Sequence, residues 1–470
     1  MQTTYTRRTF LGTMAAGLGY AATGARAQGP AKQKALRVAL IGCGSRGITL
    51  LPEICKEQVV ALVDPDKKQI ALAFERIRQT SPSFDTTCVK TFDDYRRLFE
   101  NMGKELDAVV ITTPNHHHAL PALLAIRHGI HVYVEKPLAL TIAEARQVAA
   151  EAKRQGVMTQ YGQHGHSCEG ARRLCEYIWA GAIGQVREVH CWSDRANGLI
   201  GVPRPPSSPV PSGLNWENWI GPAPYRDYHV GLHRHSWHRW CDFGNGSIGN
   251  MGSHILDPVY WALKLGAPAV VEAEDIYGGS AEYYPVRTRL RWDFPARAGL
   301  DSVKVYWYDG LAEGQTYSKE TIGAIDCVEP SAQNLPPLVV ELQKKYTRDF
   351  GTNGSLLVGE KGIMTIGPFG DGCRMVPEEA HRAFPKPTAT LPRIKGSHQA
   401  DFFRACRDGV PACANFAYSE PLAEIVLLGD LAIRAGTRKP IEWDGPGMRC
   451  KNQPEVDRYL SVNYRDGWKI

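Results

Sequence analysis

No apolar run in this 470-residue chain reaches the roughly 18 residues needed to cross a bilayer, so stable membrane insertion is not expected. Charge of one sign is also scarce. Lys and Arg number 55 against 49 Asp and Glu, an excess of six, which is too small for nucleic acid to be the main partner. Twelve cysteines, from Cys43 to Cys450, are scattered without any C-x-x-C spacing, which leaves no zinc or redox motif. There is no internal repeat and no long low-complexity tract. A composition of 43% hydrophobic and 22% charged residues is that of an ordinary soluble globular protein.

What is present begins at the N-terminus. MQTTYTRRTFLGTMAAGLGYAATGARAQG has an Arg7-Arg8 pair, an apolar run from about Phe10 to Ala22, and a small-residue Ala25-Arg26-Ala27 site, the three parts of a secretory signal. TRRTFLG resembles the twin-arginine signal. That resemblance implies residues 1–27 as a signal peptide, the twin-arginine export machinery as a partner, and a periplasmic or secreted location reached by an already folded chain. Loss of Arg7, Arg8 and Arg26 leaves a net charge of +3. Export permits disulfides, but Cys43 and Cys55 lie in strand and helix patterns that suit buried free thiols.

Two domains are expected from the length. Between residues 35 and 162, strand-like runs (LRVALIG, VVALVD, DAVVITTP, HVYVEKP, GVMTQYG) alternate with amphipathic stretches such as KKQIALAFERIRQ and TIAEARQVAAEAKRQG. Short buried strands alternating with helices predict an α/β, doubly wound parallel sheet of the Rossmann kind. From 163 to 470 the texture turns to Trp, Gly and Pro, and runs such as TRLRWDF, SVKVYWYD and GIMTIG alternate like antiparallel strands. A second α/β domain with an open, mainly antiparallel sheet is expected there, with the late helical stretches HQADFFRACRDG and EPLAEIVLLGDLAIRAG packing near the first domain.

The first chemical motif is Gly42-x-Gly44-x-x-Gly47, with Ser45 and Arg46 inside it, directly after the first strand pattern. Glycines there permit a tight turn and close approach of backbone to a pyrophosphate, and the helix that follows offers its N-terminus to the phosphate charge. Asp64 closes the second strand 22 residues after Gly42, where an acid accepts from the adenosine ribose hydroxyls. An acid at that place repels a 2′-phosphate, so NAD is favoured over NADP. Thr113, Pro114, Asn115 and His118 follow the fourth strand, Glu135 and Lys136 the fifth, and Gln163 stands at the junction with the second domain. Ligands in open α/β sheets gather at these carboxyl ends.

Strand, G-x-G-x-x-G, T-P-x-x-x-H and E-K-P in this order resemble the glucose-fructose oxidoreductase, inositol dehydrogenase and rhizopine-catabolism (Gfo/Idh/MocA) family. The resemblance continues through GAIGQVREVH, the LNWENWIGPAPYRDYH region and HSWHRWCDFGNGSIGNMGSHILD. It implies that Lys136 hydrogen-bonds the reacting hydroxyl and stabilises its developing oxyanion, and that Pro137 follows a cis bond. It also implies that His254 contacts the sugar and serves as general base. Asp257 is expected to orient His254 or cap a helix. Asn250 departs from the common Asp of the family, and an amide cannot take a proton. Aromatic and hydrogen-bonding side chains suit a polyhydroxylated ligand, and Tyr228, Trp237, Arg239 and His164 are further candidates, Tyr228 as a base. The histidines of YHVGLHRHSWHRW lack the acid or cysteine pattern of a metal site, so no metal is assigned.

The main expectation is an NAD-dependent, homo-oligomeric oxidoreductase that moves hydride from a ring CH–OH of a sugar or glycoside to tightly bound NAD and returns it in place. Outside the cytoplasm free NAD is scarce, and a retained cofactor must be regenerated where it sits. A redox-neutral NAD-dependent glycosidase, running oxidation, elimination, hydration and reduction, is the first alternative. A non-catalytic NAD- or sugar-binding protein is the second.

Overall fold

The computed structural model describes residues 34–233, 236–297, 299–315 and 327–469. The N-terminal signal expected over residues 1–27, like His235, lies outside them. Residues 36–470 form one compact unit.

Strands β1 (Arg37–Ile41), β2 (Gln58–Val63), β3 (Lys90–Phe92), β4 (Ala108–Ile111), β5 (His131–Val134) and β6 (Thr159–Tyr161) pair in the order β3-β2-β1-β4-β5-β6, all parallel. The order reverses between β1 and β4, which opens a crevice at the carboxyl ends of the strands. Successive side chains on β1 point to opposite faces. Val38 and Leu40 pack with Leu50, Leu51 and Ile54 of the helix Ser45–Ile54, while Ala39 and Ile41 pack with Leu98 and Phe99 of the helix Tyr95–Met102 and with the helix Ala119–Arg127. Both faces are covered, so the strands read as continuous apolar runs rather than alternating ones. The helix Ile142–Gln155 starts on a capping box between Thr141 and Glu144 and stops at Gly156, whose φ of 67° is left-handed.

The second sheet has nine strands among the described residues: β7 (Val186–Ser193), β8 (Val270–Gly278), β9 (Pro285–Phe294), β10 (Val303–Gly310), β11 (Gly354–Gly359), β12 (Gly362–Ile366), β13 (Arg374–Val376), β14 (Ile441–Asp444) and β15 (Arg449–Cys450). Their order is β13-β12-β11-β7-β10-β9-β8-β14-β15. Every pair is antiparallel except β7 with β10. On β9 the burial alternates strictly from Val286 to Phe294, the pattern of a sheet with one face turned inward.

Two long helices join the sheets. The helix Gly246–Ala262 is buried along most of its length, and the helix Phe416–Ala435 packs on it and on Ile142–Gln155. Trp292 on β9 donates its indole N–H to the Ile425 carbonyl at 3.1 Å, tying the second sheet to that helix. The helix His398–Asp408 returns to the parallel sheet: Phe402 is fully buried against its core, Ser397 donates to Glu53 at 2.7 Å, and Arg407 is ion-paired with Glu57. None of the twelve cysteines is joined in a disulfide. Among the described residues no helix is long and apolar enough to cross a membrane.

Candidate functional site

The crevice at the strand ends is a cleft of about 390 Å³, walled by Gly42, Gly44, Arg46, Asp64, Thr113 and Pro114 on one side and by Trp219, Trp237, His238 and Trp468 on the other. The volume lies in the range of small-molecule sites. At its floor the chain must turn sharply. Gly42 has φ +93°, and a Cβ there would stand 2.8 Å from the Thr112 and Thr113 backbone; at Gly47 it would meet the Gly42 carbonyl oxygen at 2.2 Å. Gly44 differs, because a Cβ there would meet nothing within 4 Å. The open space at Gly44 faces the start of the helix Ser45–Ile54, which has no side-chain cap and no acid in its first turn. A helix N-terminus beside open space is what a pyrophosphate needs.

Asp64 is 9% exposed and accepts from the Cys43 N–H at 2.8 Å and the Asp66 N–H at 2.9 Å, so it fastens the glycine turn while lining the cleft. Burial pushes its carboxyl up to about 7 against the pull of those two bonds. These features fit a dinucleotide: the turn and helix N-terminus hold the phosphates, and Asp64 keeps acceptor capacity for ribose hydroxyls.

Beyond the glycine turn lies a charged cluster. Arg46 donates to Glu135 at 2.7 Å, so the guanidinium expected at the cofactor phosphates is tied instead to the E-K-P motif, although Arg46 still lines the cleft. Burial raises the Glu135 carboxyl, but Arg46 and then Lys136 outweigh it and hold it below the usual carboxylate range. Lys136, which precedes a cis peptide to Pro137, donates to the Asn250 carbonyl at 2.7 Å and to the Asn250 side-chain oxygen at 2.9 Å. Burial brings its ammonium down to about 8, opposed by Glu135 and assisted by Arg46 and Arg195. Asn250 in turn donates to the Asn197 side-chain oxygen at 2.9 Å, which turns the amide oxygen toward Lys136.

His254 sits one helical turn past Asn250 and is 5% exposed, and its Nδ1 has no partner. Burial, then the Lys136 charge, hold it well below the usual histidine range, so the ring is neutral near pH 7. The His164 ring lies 5.0 Å away, edge-on, and is stacked at 4.8 Å on Phe369, which also meets His254 at 5.1 Å. Lys136, Asn250, His164 and His254 therefore form one polar cluster beside the Arg46–Glu135 pair.

Other expected site residues are placed differently. Asp257 does not orient His254; it accepts from His166 at 3.0 Å and from the Tyr418 hydroxyl at 2.7 Å, and is 1% exposed in mid-helix. One residue before a full helical turn from His254, it faces a different neighbour. Tyr228 packs edge-on to Trp216, 5.0 Å away, in an aromatic cluster with Trp240 and Phe243, because its ring is more favourable buried there than exposed. The Asp66 charge reaches it. Trp237 lines the dinucleotide cleft, stacked on His238 at 3.6 Å. Arg239 is 2% exposed, and its carbonyl accepts from the Tyr284 N–H.

Three residues expected at the cofactor serve as braces. The His118 ring bridges the Pro137 and Thr113 carbonyls at 2.5 and 2.9 Å, so it joins the two strand-end loops to each other. Asn115 donates to the Asn245 side chain at 2.9 Å, and Gln163 to Ser419 at 3.2 Å, both buried. Thr113 lines the cleft and donates to the His117 carbonyl at 2.8 Å. Residues that no motif announced are Asn197, Phe369 and Trp468, each from a distant stretch with no local pattern; Trp219 lies in the LNWENWIGPAPYRDYH region, which assigned it no role.

Among the described residues, no three His, Cys, Asp or Glu side chains are placed to hold a metal.

Comparison with known proteins agrees with this geometry. Residues 36–163 match the oxidoreductase family, NAD-binding Rossmann fold, and residues 192–275 match the C-terminal alpha/beta domain of the same oxidoreductase family. A 1-carboxy-3-chloro-3,4-dihydroxycyclohexa-1,5-diene dehydrogenase of Comamonas testosteroni is 27% identical over 288 residues, 60% of this chain and 58% of its own length. An alpha-N-acetylgalactosaminidase of Shewanella oneidensis is 34% identical over 129 residues, 26% of this chain and 27% of its own. The alignments thus span little more than half, and about a quarter, of those relatives. The crystal structure of aldose-aldose oxidoreductase from Caulobacter crescentus shares the fold with a TM-score of 0.55 at 17% identity, covering 87% of this chain and 100% of that one. Over residues 36–163 and 192–275, in that order, the chain thus carries the NAD-binding Rossmann fold and the C-terminal alpha/beta domain of the Gfo/Idh/MocA oxidoreductase family.

Proposed function

We propose that this protein is an NAD-dependent oxidoreductase acting on a ring CH–OH of a sugar or glycoside, with the dinucleotide retained and the hydride returned in place. The observation that carries the reading is the placement of Lys136, held by Asn250 beside neutral His254 and His164, next to a glycine turn left open at Gly44.

When bound, the dinucleotide supplies a hydride acceptor that becomes the donor for the return step. The chain supplies the rest. Gly44 and the uncapped N–H groups of Ser45–Ile54 hold phosphate, and Asp64 binds ribose hydroxyls. Asp64 also disfavours a 2′-phosphate, which supports NAD over NADP. The Lys136 amino group, close to half-ionised a little above neutral pH, takes and gives back the hydroxyl proton at its Nζ. His254, neutral and with an unpartnered Nδ1, is the second proton acceptor of the cluster.

The alpha-N-acetylgalactosaminidase relative favours a second reading, a redox-neutral glycosidase. Oxidation of a ring hydroxyl makes the neighbouring C–H acidic enough for a side-chain base; the base takes that proton, the glycosidic oxygen leaves, water adds, and the ketone is reduced again. His254 is the base available in the cluster. We further propose that the Arg7-Arg8 segment directs export of the folded, loaded protein, which makes in-place hydride return a requirement, and that the protein assembles as a homo-oligomer.

Incubating the purified protein with chromogenic glycosides without added NAD tests the choice. Aglycone release supports the glycosidase, and growth of reduced-nicotinamide absorbance without release supports the oxidoreductase. Silence in both across a broad sugar panel points to a binding role and overturns the proposal.

A further inference from the structure

We infer that residues 213–220, locked by the C-terminal residues 465–468, form a strap across the dinucleotide cleft that must open before the cofactor can enter or leave. This inference rests on the dinucleotide reading of the cleft.

The strap is stitched to three consecutive strand ends. After β2, the Lys67 N–H donates to the Gly213 carbonyl at 3.0 Å and the Asn215 N–H to the Pro65 carbonyl at 2.8 Å. After β3, the Asn215 and Asn218 amides donate to the Asp93 side chain and carbonyl at 2.9 and 3.1 Å. After β4, His116 and His117 both place Nε2 on the Trp219 carbonyl, at 3.0 and 2.9 Å. Burial holds both rings well below the usual histidine range, so each can be a neutral N–H donor at that atom.

The chain's last turn backs this segment. Arg465 donates to the Gly221 carbonyl at 2.9 and 3.1 Å and pairs with Glu217 at 2.6 Å. Arg96 donates to the Gly467 carbonyl at 2.7 Å, and its guanidinium lies 3.7 Å over the Trp468 ring. Trp468 is 3% exposed, meets Tyr95 and His117 edge-on, and together with Asn218 and Trp219 lines the cleft opposite the glycine turn. A ligand on Gly44 and Asp64 would thus be walled by groups fastened elsewhere. Several hydrogen bonds and an aromatic contact must break together before the wall can move, which makes the open form rare and exchange slow.

Stopped-flow measurement of NADH binding to the full chain tests this, reading the nicotinamide fluorescence. With a strap, the observed association rate levels off at high NADH, at the opening rate. Arg465→Ala, which loosens the strap without touching the cleft, raises association and dissociation rates together by tenfold or more, with little change in affinity. Arg96→Ala, which frees Gly467 and Trp468 and is not itself part of the cleft lining, does the same and serves if the first variant folds poorly. An association rate linear in NADH to the highest concentration, or a rise in dissociation alone, overturns the strap. Failure of NADH to bind the wild-type chain at all overturns the dinucleotide reading itself, so the two failures are distinguishable.

Discussion

Lys136 donates to both oxygens of Asn250, 2.7 Å from the backbone carbonyl and 2.9 Å from the side-chain amide. The amide accepts the bond without bringing a negative charge, and burial is left to bring the ammonium down to about 8. Asn250→Asp would place a carboxylate at the same distance and raise the Lys136 value by about 1–3 units. If neutral Lys136 takes the hydroxyl proton, the oxidation rate climbs through about pH 8 in the wild type, and in Asn250→Asp the rise moves to higher pH by that amount. A pH–rate profile of bound-cofactor reduction checks it; an unmoved midpoint removes Lys136 as the titrating group.

Lys136→Ala removes the group placed at the reacting hydroxyl but touches neither the glycine turn nor Asp64. We expect the dinucleotide to stay bound and turnover to fall by about 10²–10⁴-fold, the range of a lost acid–base group. Cofactor content after gel filtration and single-turnover kinetics read the two effects separately. Full activity would take Lys136 out of the mechanism.

Asp64 is held near pH 7 by burial, and ribose hydroxyls donate only to acceptors, which favours its ionised form. Binding therefore drives off a proton below pH 7, and NAD affinity rises about tenfold from pH 6 to pH 8. Asp64→Asn should flatten this dependence. Asp64→Ala should weaken NAD more than NADP. Calorimetric titration in two buffers measures both the affinity and the released proton, and equal loss for NAD and NADP would undermine the ribose assignment.

Asp257 accepts from His166 and Tyr418 in the core. Asp257→Ala leaves two buried donors without a partner, at about 1–3 kcal/mol each. The cost should appear in the denaturant midpoint and leave the substrate KM of the remaining folded protein near that of the wild type. A large KM change at unaltered stability would return Asp257 to the substrate site.

Much of this was legible in sequence because it is local. The parallel strands announced themselves as apolar runs, the glycine turn by spacing, and Asp64 by its distance from Gly42. β3 did not, since it is a three-residue strand at the sheet edge with exposed side chains. Roles fixed by partners far along the chain were illegible. His118, Asn115 and Gln163 stand where cofactor contacts were expected, yet their hydrogen bonds go to Pro137, Asn245 and Ser419, and nothing in a motif encodes those partners. Asp257 shows the same limit: three residues along a helix from His254, its direction is set by His166 and Tyr418. Asn250 was visible as a departure from the family pattern, but its effect on Lys136 required the 2.9 Å contact.

The bond between Arg96 and Gly467 joins residues 371 apart. The glycine turn and Asp64 rest on the pairing of β1 with β2, close together in sequence, while the wall opposite them rests on contacts between distant parts of the chain. Long-range closure of this kind comes late in folding. A chain in which Arg96 has not yet met Gly467 therefore holds a dinucleotide loosely, and retention begins when that contact closes over the cleft.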